Sequence, residues 1–150
     1  MEQAVTTRMA DRHILIEAKT SNFAVREVLD EALTLLAEWG VPAAATGSVH
    51  IVLAEALNNV IEHAYDFRDG GRFSLDMTLE GDRLATVIRD HGTPFPEGTP
   101  PDGDAVALGG PTESLPEGGF GWFMIRELTE DLSYEHAEGC NALTLRFLVV

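Results

Sequence analysis

The segment Glu55-Ala56-Leu57-Asn58-Asn59-Val60-Ile61-Glu62-His63-Ala64-Tyr65 carries two faces at once. At about 100° per residue, Leu57, Val60, Ile61 and Ala64 fall together with Leu53 on one side of a helix. Glu55, Asn59 and Glu62 fall on the other. Glu55 and Asn59 are four residues apart and so stand one turn from each other on the same face. An asparagine offers a neutral carbonyl oxygen to a hard cation, and Mg²⁺ takes one or two protein oxygens alongside phosphate and water. A glutamate one turn away can orient or deprotonate an attacking hydroxyl or water. Taken alone, such a pair is more often a solvated helix face. His63 reads as a structural, hydrogen-bonded histidine at the edge of the apolar face.

This helix begins at about Ala43 or Ser48 and runs to Ala64. Before it, His13–Ala18 reads as a strand. Ser21 or Asn22 is placed to cap a helix running to about Trp39, with Val25, Val28, Leu29, Ala32, Leu33 and Leu36 at helical spacing. Gly40-Val41-Pro42 stops it. Residues 1–10 read as a flexible N-terminal tail, and 11–150 as the folded domain. After the Asp69-Gly70-Gly71 turn, Phe73–Leu79 alternates as a strand does. Gly81-Asp82 turns into a second strand, Leu84–Asp90. Two closing strands, near Leu132–His136 and Ala142–Val149, are joined by a turn at Gly139-Cys140-Asn141. The expected class is α+β: a two-layer sandwich with a mixed, mostly antiparallel sheet and about three helices on one face.

Two further segments carry chemistry. In Ile88-Arg89-Asp90-His91-Gly92-Thr93-Pro94-Phe95-Pro96 a buried strand ends in a carboxylate followed by a glycine turn. A partly desolvated carboxylate there can accept from an exocyclic amine such as adenine's, and Gly92 lets backbone approach the ring. Residues 91–118 then form a long Pro- and Gly-rich lid, a length that inside a small domain points to function or disorder. Gly119-Phe120-Gly121 opens a third helix, Trp122 to about Glu130. Glycines at a helix start leave N–H groups free to hold phosphate. Phe120, Trp122, Phe123, Ile125 and Leu128 read as core. The segment is neither a P-loop nor a Rossmann fingerprint, lacking Gly-Lys-Ser/Thr and a preceding strand.

Bulk properties narrow the classes. The 150 residues fit one domain with its own core. The charge of 10 − 25 = −15 argues against direct nucleic-acid binding, which needs a basic patch. No run of about 18 apolar residues suggests a membrane span, and no secretory signal is visible. Cytoplasm is the default expectation. The single cysteine, Cys140, reads as a buried or neutral thiol.

Jointly, "EALNNVIEHAY" at Glu55–Tyr65, "DHGTPFP" at Asp90–Pro96 and "GGFGWFMIREL" at Gly118–Leu128 resemble the N-box, G1 box and G2 box of the histidine-kinase-like (GHKL, Bergerat-fold) ATPase superfamily. Within it, the chain looks most like the bacterial anti-sigma-factor serine/threonine kinases, and its ending "GCNALTLRFLV" is similar to their last hairpin. The resemblance spans about residues 11–149. It implies Mg·ATP (or ADP) as ligand, Asn59 on the metal and Glu55 as general base. It implies Asp90 on the adenine amine with Gly92 beside it, and Gly119, Phe120 and Gly121 around the phosphates. It implies partner switching: phosphorylation of a STAS-type antagonist, sequestration of a sigma factor or other output protein, and dimerisation or docking through the first helix (Arg26, Glu27, Asp30, Glu31, Glu38). Pro94 departs from the glycine common in sensor histidine kinases. Residues 91–119 contain no Lys or Arg, where many relatives carry a basic residue near the γ-phosphate. Arg126, Arg72 or a partner's arginine would have to serve. The alternative reading is a nucleotide-gated binding module with little or no kinase activity.

Overall fold

The computed structural model describes residues 5–10, 12–102 and 119–150. The lid between 103 and 118 lies outside the described residues, as does the side chain of Phe120.

Alternation builds the sheet. In β2 (His13–Lys19), β3 (Arg72–Glu80), β4 (Arg83–Asp90) and β6 (Cys140–Leu148), every second side chain is buried. Ile14, Ile16, Leu75, Met77, Leu84, Ile88 and Leu145 are almost wholly removed from solvent. Each such side chain contributes about 1.5–3 kcal/mol of burial. With β1 (Val5–Ala10) and β5 (Asp131–Ala137) the sheet has, among the described residues, six strands in the order β1-β2-β3-β4-β6-β5. All five pairings are antiparallel.

Within the flexible tail expected over residues 1–10, Val5–Ala10 forms strand β1 instead, and residues 1–4 lie outside the described residues. Val5–Ala10 pairs with Ala18 back to His13 along the edge of β2. The β-branched run Val5-Thr6-Thr7 favours a strand, and a tight turn with Arg12 at φ 60° returns the chain.

Helices α1 (Ala24–Glu38), α2 (Ala43–Asn59) and α3 (Gly119–Leu128) cover the apolar face and share one core with the strands. Neither Ser21 nor Asn22 caps α1; Phe23 is the first flanking residue, and Ser21 Oγ instead accepts its N–H. The stop at Gly40 is as expected: Gly40 takes φ 83°, its N–H donates to Ala37 O (3.1 Å) and that of Val41 to Leu36 O (3.0 Å). This is a Schellman closure, with Val41 buried behind it. Helix α3 starts at Gly119 rather than Trp122, so Gly119 and Gly121 lie within its first turn. No helix among the described residues is long and apolar enough to cross a membrane.

Candidate functional site

The α-helical hydrogen bonding of α2 does not continue to Ala64. Val60–Ala64 forms one π-helical turn, with Tyr65 N–H donating to Val60 O at 3.1 Å, five residues back. Such turns widen a helix locally and recur at functional positions. Here the turn follows directly on Asn59. Glu55 is exposed and Asn59 half-buried. Both line a groove of about 210 Å³ with Asn58, Glu62, His63 and Gly121. Among the described residues neither Glu55 nor Asn59 is engaged by another side chain. His63 is exposed on this groove, 3.9 Å from Glu62 and not a core histidine.

Gly121 explains how α3 meets α2. A β-carbon there would strike Glu55 Oε2 and stand 3.1 Å from its Cδ. With no side chain at Gly121, the Glu55 carboxylate can rest against the first turn of α3 in this position. Trp122 and Ile125 follow into the core, 4% and 1% exposed.

Asp90 closes β4 and is buried, 7% exposed. Its Oδ1 accepts from Gly92 N–H at 2.9 Å and from the Asn141 amide at 2.7 Å. Both of these bonds converge on one oxygen. Burial pushes the Asp90 carboxyl above its ordinary value, while the two hydrogen bonds and the neighbouring His91 and His136 pull the other way. Gly92 packs against the end of the π turn, where a β-carbon would lie 2.6 Å from Ala64 C; Thr93 N–H donates to Ala64 O at 2.8 Å. The Asp90 turn is thereby fixed to the helix that carries Glu55 and Asn59.

Tyr65 is the second clamp. Its hydroxyl donates to Arg72 O (2.5 Å) and accepts from His91 N–H (2.8 Å), and burial pushes its pKa up. On the far side, Phe95 packs edge-on against Trp122 and Tyr134, with ring centres 5.3 and 4.8 Å away. The Tyr134 hydroxyl accepts from Phe95 N–H at 3.2 Å. This trio ties the start of the lid to α3 and β5. Arg126, one of the expected phosphate cations, spends its guanidinium on Pro101 O at 2.9 and 3.2 Å. Arg72 is exposed at the start of β3.

Glu55, Asn59 and Gly121 therefore share one groove, and Asp90 and Gly92 form a second centre joined to it through Ala64. Gly119 lies in the helical turn that bears Gly121. Asn141 and Tyr65 are the residues that pattern alone did not assign. Asn141 stands opposite Asp90 only because β6 pairs with β4 in that register. Cys140, half-buried beside it, points its thiol at Asn141 O, 3.8 Å away.

Comparison with known proteins bears on the family and the fold. The family described as histidine kinase-like ATPase domain matches residues 17–147. "Serine-protein kinase RsbW" of Bacillus mycoides is 32% identical over 104 residues, covering 65% of this chain and 61% of that protein. The protein of the same name from Halalkalibacterium halodurans is 34% identical over 107 residues, covering 67% and 61%. The chain thus spans 61% of the length of these relatives. Among solved structures, the blue-light activated histidine kinase of Erythrobacter litoralis EL346 superposes with a TM-score of 0.54 at 18% identity, over 73% of this chain and 32% of that one. Its isolated histidine kinase domain gives 0.52 at 15% identity, over 83% and 61%. These last two likenesses bear on the fold alone.

Proposed function

The chain belongs to the histidine kinase-like ATPase domain family, and from that premise we propose that it is a Mg·ATP-dependent serine/threonine protein kinase acting as an anti-sigma factor. Its substrate in this reading is a STAS-type antagonist protein, and its alternative partner a sigma factor or other output protein. The observation that carries the proposal is the contact of Gly121 with Glu55 in the groove that Asn59 also lines. The relatives' name, serine-protein kinase, supports the same assignment.

The residues present fit the ligand. Asn59 offers a carboxamide oxygen beside a carboxylate, a donor set that suits a hard cation. Mg·ATP, when bound, supplies the transferable phosphoryl group. Asp90 takes the adenine amine on the carboxylate oxygen turned away from Asn141. The N–H groups at the start of α3, at Gly119 and Gly121, offer donors and the positive helix end to phosphate. Glu55 accepts the proton of the incoming serine or threonine hydroxyl. The groove between α1 and α2, about 410 Å³ and lined in part by Arg26, Asp30, His50 and Asn58, is where we place partner docking or homodimer contact. The cytoplasm is the compartment that this reading requires.

The test is phosphoryl transfer from labelled ATP to a candidate antagonist. Wild type transfers label with Mg²⁺, and Glu55→Ala slows transfer by about 10²–10⁴-fold while binding ATP. Equal transfer by the two proteins would remove Glu55 as the base.

A second reading has its own observation. The groove presents Glu55 and Glu62, and the 91–119 segment contains no Lys or Arg. A nucleotide-gated binding module without useful transfer fits that charge pattern. Nucleotide-dependent complex formation with no phosphoprotein after long incubation would favour it over the kinase.

A further inference from the structure

Three polar side chains lie in one row across the sheet. Asp90 of β4 is the register partner of Asn141 of β6, and Asn141 is that of His136 of β5. The row is continuous in hydrogen bonds. His136 Nδ1 lies 2.5 Å from Asn141 Oδ1. Asn141 Nδ2 donates to Asp90 Oδ1 at 2.7 Å and to Gly92 O at 3.1 Å. Asn141 is 2% exposed, so each of its amide atoms needs a partner. With Oδ1 on His136, the amide has one orientation: its nitrogen faces Asp90 and Gly92.

We propose that Asn141, locked by an Nδ1–H of His136, is the positioning residue that fixes which carboxylate oxygen Asp90 presents, and so makes the site select adenine over guanine. This inference rests on the nucleotide reading given above. The physical case is one of lone pairs. Asp90 Oδ1 is occupied by Asn141 and by Gly92 N–H. The remaining oxygen is left to accept from an exocyclic amine. Adenine offers an amine at that position of the ring, whereas guanine offers a carbonyl, which a carboxylate repels. If the Asn141 amide were free to turn, its carbonyl would face the carboxylate, Asp90 would move, and the distinction between the two bases would weaken. Gly92 O, held by the same amide, keeps the glycine turn in step with the carboxylate. His136 and Asn141 touch no reacting atom; they act through Asp90.

Two measurements test this, and each reads something that a merely structural role would not move. The first is the tautomer of His136 by nitrogen NMR on the ligand-free full chain. The lock requires a proton on Nδ1; a neutral ring with a bare Nδ1 would mean the Asn141 amide points the other way, and would overturn the proposal. The second is the ratio of ATP to GTP affinity in wild type, His136→Leu, His136→Asn and Asn141→Ala. Leaving the buried Asn141 or Asp90 oxygen without its partner is expected to weaken ATP binding by about 10-fold with GTP binding little changed, so the ratio falls. His136→Asn, whose amide nitrogen can stand where Nδ1 stands, is expected to restore the ratio that His136→Leu loses. A wild type that prefers ATP, with His136→Leu and Asn141→Ala variants keeping the same ratio, would overturn this inference alone. A wild type that binds neither nucleotide would overturn the nucleotide reading and this inference with it.

Discussion

Gly92 lies so close to Ala64 that a methyl group in its place would stand 2.6 Å from the Ala64 carbonyl carbon and 2.9 Å from its β-carbon. The neighbours at fault are backbone atoms, which cannot swing aside as a side chain can. The turn after β4 and the end of the α2 helix are therefore one mechanical unit. Gly92→Ala must separate them, at an overpacking cost of about 1–3 kcal/mol. The expected melting temperature falls by about 2–4 °C for each kcal/mol in a chain of this size. Thermal denaturation checks this; an unchanged melting temperature would show that the two segments do not press on each other.

Gly121 presents the contrasting case. There a methyl meets the far end of the Glu55 side chain, which is exposed and free to turn. Gly121→Ala should leave the melting temperature within a few degrees, yet displace the carboxylate from its place beside α3. Phosphoryl transfer is expected to fall by about 10²-fold, toward the level of Glu55→Ala. Comparing turnover of both variants at saturating ATP distinguishes this from a loss of nucleotide.

The burial of Asp90 carries a cost in stability once its carboxyl is ionised. Its carboxyl is raised above the ordinary 3.8, with burial as the largest cause. A raised acid favours folding most when protonated: its contribution is complete below the unfolded value and is lost as pH rises through the folded one. Asp90→Asn removes that ionisation and keeps an oxygen for Gly92 N–H and Asn141. The variant is expected to match or exceed the wild type in stability at pH 7, with the difference shrinking as pH falls toward 4. Denaturation at both pH values reads it; a variant less stable at pH 7 than at pH 4, relative to wild type, would reverse the sign.

Tyr65 joins three segments through one oxygen, bonded to Arg72 O and His91 N–H. Tyr65→Phe strips both backbone groups of a partner and is expected to cost about 1–3 kcal/mol. Amide exchange at His91 should accelerate more than exchange at Leu75 in the strand centre. Uniform protection would mean that the hydroxyl is dispensable.

The fold was legible where periodicity is strict. Phe73–Leu79 alternates without interruption and Leu84–Asp90 is an apolar run after a turn, and β3 and β4 appear with one residue added at most at either end. Glu55 and Asn59 share one helix face, as a four-residue spacing implies, and the packing of α3 on α2 adds Gly121 to the same groove. What stayed hidden depends on contacts distant in sequence. Val5–Ala10 is completed as a strand by the edge that β2 offers it. The π turn at Val60–Ala64 leaves no mark in composition, since apolar spacing over one turn hardly distinguishes it from an α-helix. Asn141 acquires its role from the β4–β6 register, which no local pattern announces. The capping of α1 by Ser21 or Asn22 failed because Ser21 Oγ turns to the Phe23 N–H in the loop instead.

The most direct test of the account is calorimetric titration of the full chain with ATP, with and without Mg²⁺, alongside Asp90→Asn and Asn59→Ala. The wild type is expected to bind ATP saturably and more tightly with Mg²⁺. Binding is expected to be lost in Asp90→Asn, and retained but no longer sensitive to Mg²⁺ in Asn59→Ala. Binding by Asp90→Asn equal to wild type, or no heat from the wild type at all, would contradict it.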